Sequence, residues 1–163
     1  MTIERMVIGV VWIVIVCSLK WLVPKNKRRE AALILFADQV FTWSISLILV
    51  EIGWNENPVR EFVKAGSTNF SFNYGLYPTI CVFYCLYYPE QGSWVRKFVH
   101  SLVFAGIYTL FIVLVSTYTE LIHPLHMRWY FHFTMAFLLF YVVYRYYRWF
   151  FRGRMILSAG EHP

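Results

Sequence analysis

The side chains best suited to chemistry gather in the stretch 120–132, ELIHPLHMRWYFH. It holds three of the five histidines, together with Glu120, Arg128 and the helix breaker Pro124. Imidazole and carboxylate are the usual protein ligands of zinc. Glu120 and His123 are three apart and share a helix face. Glu120, His123, His126 and His132 are therefore the candidate metal ligands. Their spacing matches no established signature. A di-iron carboxylate bundle needs Glu-x-x-His twice plus further glutamates, and this chain offers the pattern once here. The plainer account is a set of interfacial polar residues around a proline-centred turn; ligand contact or a pH response stand between the two.

A second group is defined by where it lies. Asp38 and Gln39 fall inside a long apolar run, Glu51 near the end of the same run, and Lys20 near the end of the run before it. A carboxylate deep in an apolar helix is costly and must face protein or water. By helix rise, Asp38 is about 10 Å beyond the basic loop that precedes its run. Lys20 approaches that depth from the neighbouring segment. The economical reading is an Asp38–Lys20 pair locking the first hairpin, with Gln39 or His100 nearby. The functional alternative is a proton or ion relay through Asp38. Glu51 and Glu120 read as interfacial charges near Arg60, Lys64 and Arg128.

Cys17, Cys81 and Cys85 all sit in apolar runs. An odd, buried set is no disulfide framework, and Cys81 and Cys85, four apart, lack the tight spacing of a redox pair. They read as small buried hydrophobes. His100 and His132 begin their runs from opposite faces, which argues against joint haem ligation. The chain contains no P-loop, dinucleotide fingerprint, serine-hydrolase elbow or HExxH motif.

The elements that must position these residues follow from composition. The 163 residues are 59% hydrophobic and 21% aromatic, and 15% are charged, against about 25% charged in soluble domains. Apolar blocks of about 18–25 residues match the hydrocarbon thickness. The expected fold is all-α: a polytopic membrane protein with a bundle of five transmembrane helices, spanning 6–23, 31–54, 72–88, 98–122 and 129–151, as one domain over 1–163. No small-x-small cleavage site follows the first run, so it reads as an uncleaved span. Pro78 is placed to kink the third span. In the long connection 55–71, Asn57 before Pro58 suits the start of a short interfacial helix over 58–65.

The net charge of +6 is explained by basic residues at span boundaries, not by nucleic-acid binding. Eleven of the fifteen lysines and arginines collect on one face, including 25–29, Arg96, Lys97, Arg145 and Arg148; four collect on the other. The basic face is the cytoplasmic one, which places the N-terminus outside and the C-terminus inside. Trp21, Trp54, Trp94, Trp129 and Trp149 mark the interfaces.

The basic first loop, the segment FNYGLYP at 72–78 and the elbow ending in Arg128, Trp129 and Tyr130 resemble a family of small, uncharacterised multi-pass membrane proteins of spore-forming Bacillus-type and Clostridium-type bacteria. The resemblance implies a location in the bacterial cytoplasmic membrane and a topology, and carries no activity or catalytic residue. The leading functional expectation is a non-enzymatic structural or accessory component of a membrane assembly, with the lipid bilayer and other membrane proteins, or further copies of itself, as partners. The alternatives are a small transporter or ligand-binding protein using Asp38 and the outer Glu/His group, and a metal- or quinone-dependent membrane enzyme centred on the elbow.

Overall fold

In the computed structural model the described residues are 3–57, 68–124 and 128–159. They form an all-α protein. Helix α1 is Ile3–Leu22, followed by a 3-10 turn at Lys25–Lys27 and α2 at Arg28–Glu51. A π-helical segment, Ser71–Leu76, runs directly into α3 at Tyr77–Leu86; α4 is Trp94–Tyr118 and α5 is Trp129–Ala159. Among the described residues three segments are long and apolar enough to cross a membrane: Ile3–Leu22, Lys25–Glu51 and Trp94–Tyr118, with mean hydropathies of 2.0, 1.9 and 2.3. The 20 residues of α1 rise about 30 Å, the thickness of a hydrocarbon layer.

The helix ends correct the expected boundaries. Both α2 and α4 begin and end three or four residues before the spans read from hydropathy. At their starts, charged residues that hydropathy excludes are helical: Arg28, Arg29 and Glu30 in α2, Arg96 and Lys97 in α4. Ser93 caps α4, its hydroxyl accepting from the Arg96 amide at 3.4 Å. At the other end of α2, Gly53 has φ +70°. There the Trp54 amide donates to Leu49 O at 2.9 Å and the Gly53 amide to Val50 O at 3.0 Å. That pair of bonds is a Schellman stop, and it needs a residue that accepts the left-handed conformation. Ile52 and Trp54 are apolar, so hydropathy carries the run past a stop that glycine enforces.

Two buried clusters hold the helices together. One centres on Tyr84, with Ile34, Val82, Phe140 and Val143 around it. It includes Ala105 of α4 and Ala136 of α5, small residues of the kind that let helix backbones approach closely. The other joins Val11 and Ile15 of α1 to Phe72, Leu76 and Tyr77, with Ile112 and Val115 of α4.

The segment 72–78 is the joint between these clusters. A Cβ at Gly75 would lie 2.9 Å from Ile15 Cδ1, so α1 rests on bare backbone here. Trp12 Nε1 donates to Ser71 Oγ at 2.8 Å. Pro78 has no amide hydrogen for the carbonyl of Tyr74, four residues back. Gln39 Nε2 of α2 donates to that carbonyl at 2.8 Å. The widened π-helical turn immediately precedes the proline, where such irregularities commonly occur.

The long connection and the elbow meet. Strand β1 (Asn55–Glu56) pairs antiparallel with β2 (His123–Pro124), Asn55 opposite Pro124 and Glu56 opposite His123. Trp54 packs edge-on against Phe131, ring centres 5.7 Å apart. The helix expected at 58–65 lies outside the described residues.

Candidate functional site: a buried polar centre on α2

Asp38 is fully buried, at 0% exposure. It sits mid-helix on α2, and Thr42, one turn on, donates its hydroxyl to the Asp38 backbone carbonyl. Neither carboxylate oxygen has a hydrogen-bond partner among the described residues. The polar groups beside the carboxyl are the Cys81 thiol of α3 and the Thr42 hydroxyl. A buried polar group left without a hydrogen bond costs about 1–3 kcal/mol, so this residue is not explained by packing.

The expected Asp38–Lys20 pair does not form. The inward stripe of α1 runs through Val11, Ile15 and the packed Leu19. Lys20 follows Leu19 by one residue, about 100° further round the helix, and is exposed. Gln39 is likewise turned away from Asp38 to the Tyr74 carbonyl. His100 is committed elsewhere: its Nε2 is 3.0 Å from the Tyr84 carbonyl, one of the last carbonyls of α3, which lack helical partners.

A cavity of about 50 Å³ opens one turn beyond Asp38 on the same side of α2. Thr42, Ile45, Ser46 and Leu49 of α2 line it with Tyr77, Tyr108 and, from α5, His132 and the apolar Met135, Ala136 and Leu139. Tyr77 and Tyr108 pack at 4.8 Å between ring centres. His132 is buried, and its Nε2 has no hydrogen-bond partner among the described residues. Ser46 Oγ donates to Asn73 Oδ1 at 2.6 Å. That volume exceeds one water's share of the liquid, about 30 Å³, and the wall supplies several polar groups, the conditions for a hydrated cavity.

The elbow residues are placed differently from one another. Glu120 is exposed. His123 lies on β2, paired with the second loop, and its side chain is not described; His126 lies outside the described residues. His132 belongs to the cavity. Among the described residues no three His, Cys, Asp or Glu side chains gather to hold a metal ion. Glu51 is exposed at the end of α2. Cys81 and Cys85 are buried and Cys17 partly so, all as free thiols.

Sequence reasoning singled out Asp38 and His132 separately and missed what joins them. Thr42 and Ser46 follow Asp38 at spacings of four, which puts all three on one helix face; that signal was legible. Tyr77, Cys81 and Tyr108 were not, because their relation to Asp38 depends on how α3 and α4 pack. What the arrangement offers chemically is one acid with no countercharge, one helical turn from a cavity of mixed polar and apolar lining that includes an imidazole. No family model, no curated protein and no solved structure matches the chain.

Proposed function

We propose that this chain is a multi-pass protein of a bacterial cytoplasmic membrane that works as a small transport or ligand-binding unit, with Asp38 as its proton-exchanging group. The observation that carries this reading is the fully buried Asp38 carboxyl without a hydrogen-bond partner among the described residues, one turn from the cavity that includes His132. The hairpin lock that would have made Asp38 structural is absent, since Lys20 faces away. A proton is the cation that suits the site. Hard metal cations take about six to eight oxygen ligands, whereas a thiol and a hydroxyl are the polar neighbours here. Proton relays built from Asp and His are a known use of intramembrane ionisable residues.

In this reading α5 and the continuous helix 71–86 complete five spans. The N-terminus is outside and the cavity opens toward the outer half. Labelling from outside of a cysteine placed at Arg28 would overturn that orientation. The functional test is reconstitution into vesicles with an internal pH dye. Wild type should dissipate an imposed pH gradient and Asp38→Asn should not; equal rates in both would overturn the reading.

A second reading, an accessory component of a membrane assembly, draws on α1. It buries Val11 and Ile15 and leaves most of its apolar surface outward, available to lipid or to another protein. Crosslinking from Val10 and Val14 in native membranes should capture a discrete partner if that surface is an interface, and lipid-only exposure would leave it uncrosslinked.

A further inference from the structure

A larger pocket lies at the opposite, basic end, separate from the Asp38 cavity. It measures about 410 Å³ and is lined by Tyr88, Glu90, Lys97 and, from α5, Tyr141, Tyr144, Arg145, Arg148 and Trp149. Its charges do not balance. Glu90 is the one acid; it pairs with Arg148 and accepts from the Tyr144 hydroxyl at 3.4 Å. The side chains of Lys97 and Arg145 have no hydrogen-bond or ion-pair partner among the described residues. Two cations are thus left over in a concave, aromatic-walled site. Tyr88 stacks on Tyr144 at 3.9 Å, and the Glu90 contacts hold Arg148 in place, so one wall is built before any ligand arrives.

The level of the pocket identifies its occupant. Trp149 and Trp94 are exposed at this end, as interfacial tryptophans are at the headgroup level. A lipid phosphate sits at that depth, and basic pockets between spanning helices on the cytoplasmic side bind anionic headgroups. The outward Tyr141 and Trp149 supply apolar surface beside the cations, where acyl chains would leave the headgroup. We infer that this pocket binds the phosphate of an anionic phospholipid, with Lys97 and Arg145 as the recognition residues and Glu90 positioning Arg148. The inference rests on the membrane reading above but not on the role given to Asp38.

The test uses the full chain in mild detergent, titrated with a labelled short-chain phosphatidylglycerol and competed with phosphatidylcholine or inorganic phosphate. One near-surface cation changes anionic-lipid affinity about fivefold. Lys97→Gln should weaken binding by about that factor and Lys97→Gln/Arg145→Gln by about its square, with helicity unchanged by circular dichroism. Arg29→Gln, a cation of the same end outside the pocket, should leave affinity as it was. Competition by phosphatidylcholine, an equal loss in Arg29→Gln, or no loss in the double variant would overturn the site. Competition by inorganic phosphate at the same concentration as lipid would overturn the lipid as its source. Recovery of the chain in the aqueous fraction after an alkaline wash would instead overturn the membrane reading, which separates the two failures.

Discussion

The two ends of the helix bundle solve the problem of buried polarity in opposite ways. At the basic end several buried or half-buried aromatic hydroxyls are paired. The Tyr84 hydroxyl meets Ser101 Oγ at 3.0 Å, the Tyr144 hydroxyl donates to Glu90 at 3.4 Å, and the Tyr147 hydroxyl donates to Glu30. From Asp38 to the opposite end, paired groups such as Ser46 with Asn73 stand beside unpaired ones. Every buried side-chain polar atom without a partner among the described residues lies there: both Asp38 oxygens, Asn55 Oδ1, Asn69 Nδ2 and His132 Nε2. Satisfied polar networks rigidify a fold; unsatisfied ones cost stability and persist mainly where something binds or reacts. The buried polar atoms without a partner among the described residues thus gather in one half of the bundle, and the paired aromatic hydroxyls in the other.

The largest blow to that contrast would come at Tyr84. It is fully buried, stacks on Phe140 at 5.3 Å between ring centres and contacts Tyr88, His100 and Phe104. Tyr84→Ala should cost about 3–5 kcal/mol, the range for removing a buried aromatic. Thermal unfolding in detergent would show it, and a loss below about 1 kcal/mol would mean the cluster does not anchor the fold. Tyr84→Phe removes the Ser101 partner alone and should cost about 1 kcal/mol.

Gln39 tests the joint between the halves. Gln39→Leu keeps the helix and strips the donor from the Tyr74 carbonyl that Pro78 cannot serve. Leaving this part-buried carbonyl unmet should cost about 1 kcal/mol, the low end of the range for a buried unsatisfied group. If Gln39→Leu/Pro78→Ala recovered most of that loss, the proline would be identified as the reason for the glutamine.

Asp38 should respond with the opposite sign. Asp38→Leu removes two buried oxygens that have no partner, and the desolvation it relieves is of the same order, about 1–3 kcal/mol. The variant should melt higher than wild type while losing proton exchange. That trade of stability against activity is the expected mark of a functional residue. A lower melting temperature would show that Asp38 holds the fold and would remove the contrast between the ends.

How much of this was legible in the sequence depends on the range of the interaction. Helix content and the positions of the apolar runs were legible, because they rest on local composition. Helix ends were displaced by three or four residues where capping chemistry, at Ser93 and Gly53, overrode hydropathy. Asp38 was legible as a costly residue, since depth alone makes it so. Its partner was not: Lys20 has the right depth and the wrong azimuth, and azimuth is fixed by the stripe Val11, Ile15 and Leu19 that α1 buries. The segment 72–78 stands out in the sequence as FNYGLYP. Its role as the seat of α1 and the reason for Gln39 required the packing of three helices.

The smallest effect belongs to Glu90, and its smallness is informative. Its ion pair with Arg148 is open to solvent, the two side chains being 45% and 37% exposed. Exposed pairs contribute about 0–1 kcal/mol and weaken with salt. Glu90→Gln should therefore lower stability by less than about 1 kcal/mol, and by less still at high ionic strength. Tyr147→Phe, which strips a half-buried hydroxyl from Glu30, should cost about 0.5–1.5 kcal/mol with little salt dependence. If Glu90→Gln proved the more damaging of the two, the basic end would be held by charge rather than by its aromatic hydroxyls. The larger consequence of Glu90→Gln is expected in binding: it adds about one net positive charge to the pocket of Lys97 and Arg145 and frees Arg148. Affinity for phosphatidylglycerol should then rise if charge dominates recognition, and fall if the fixed position of Arg148 does.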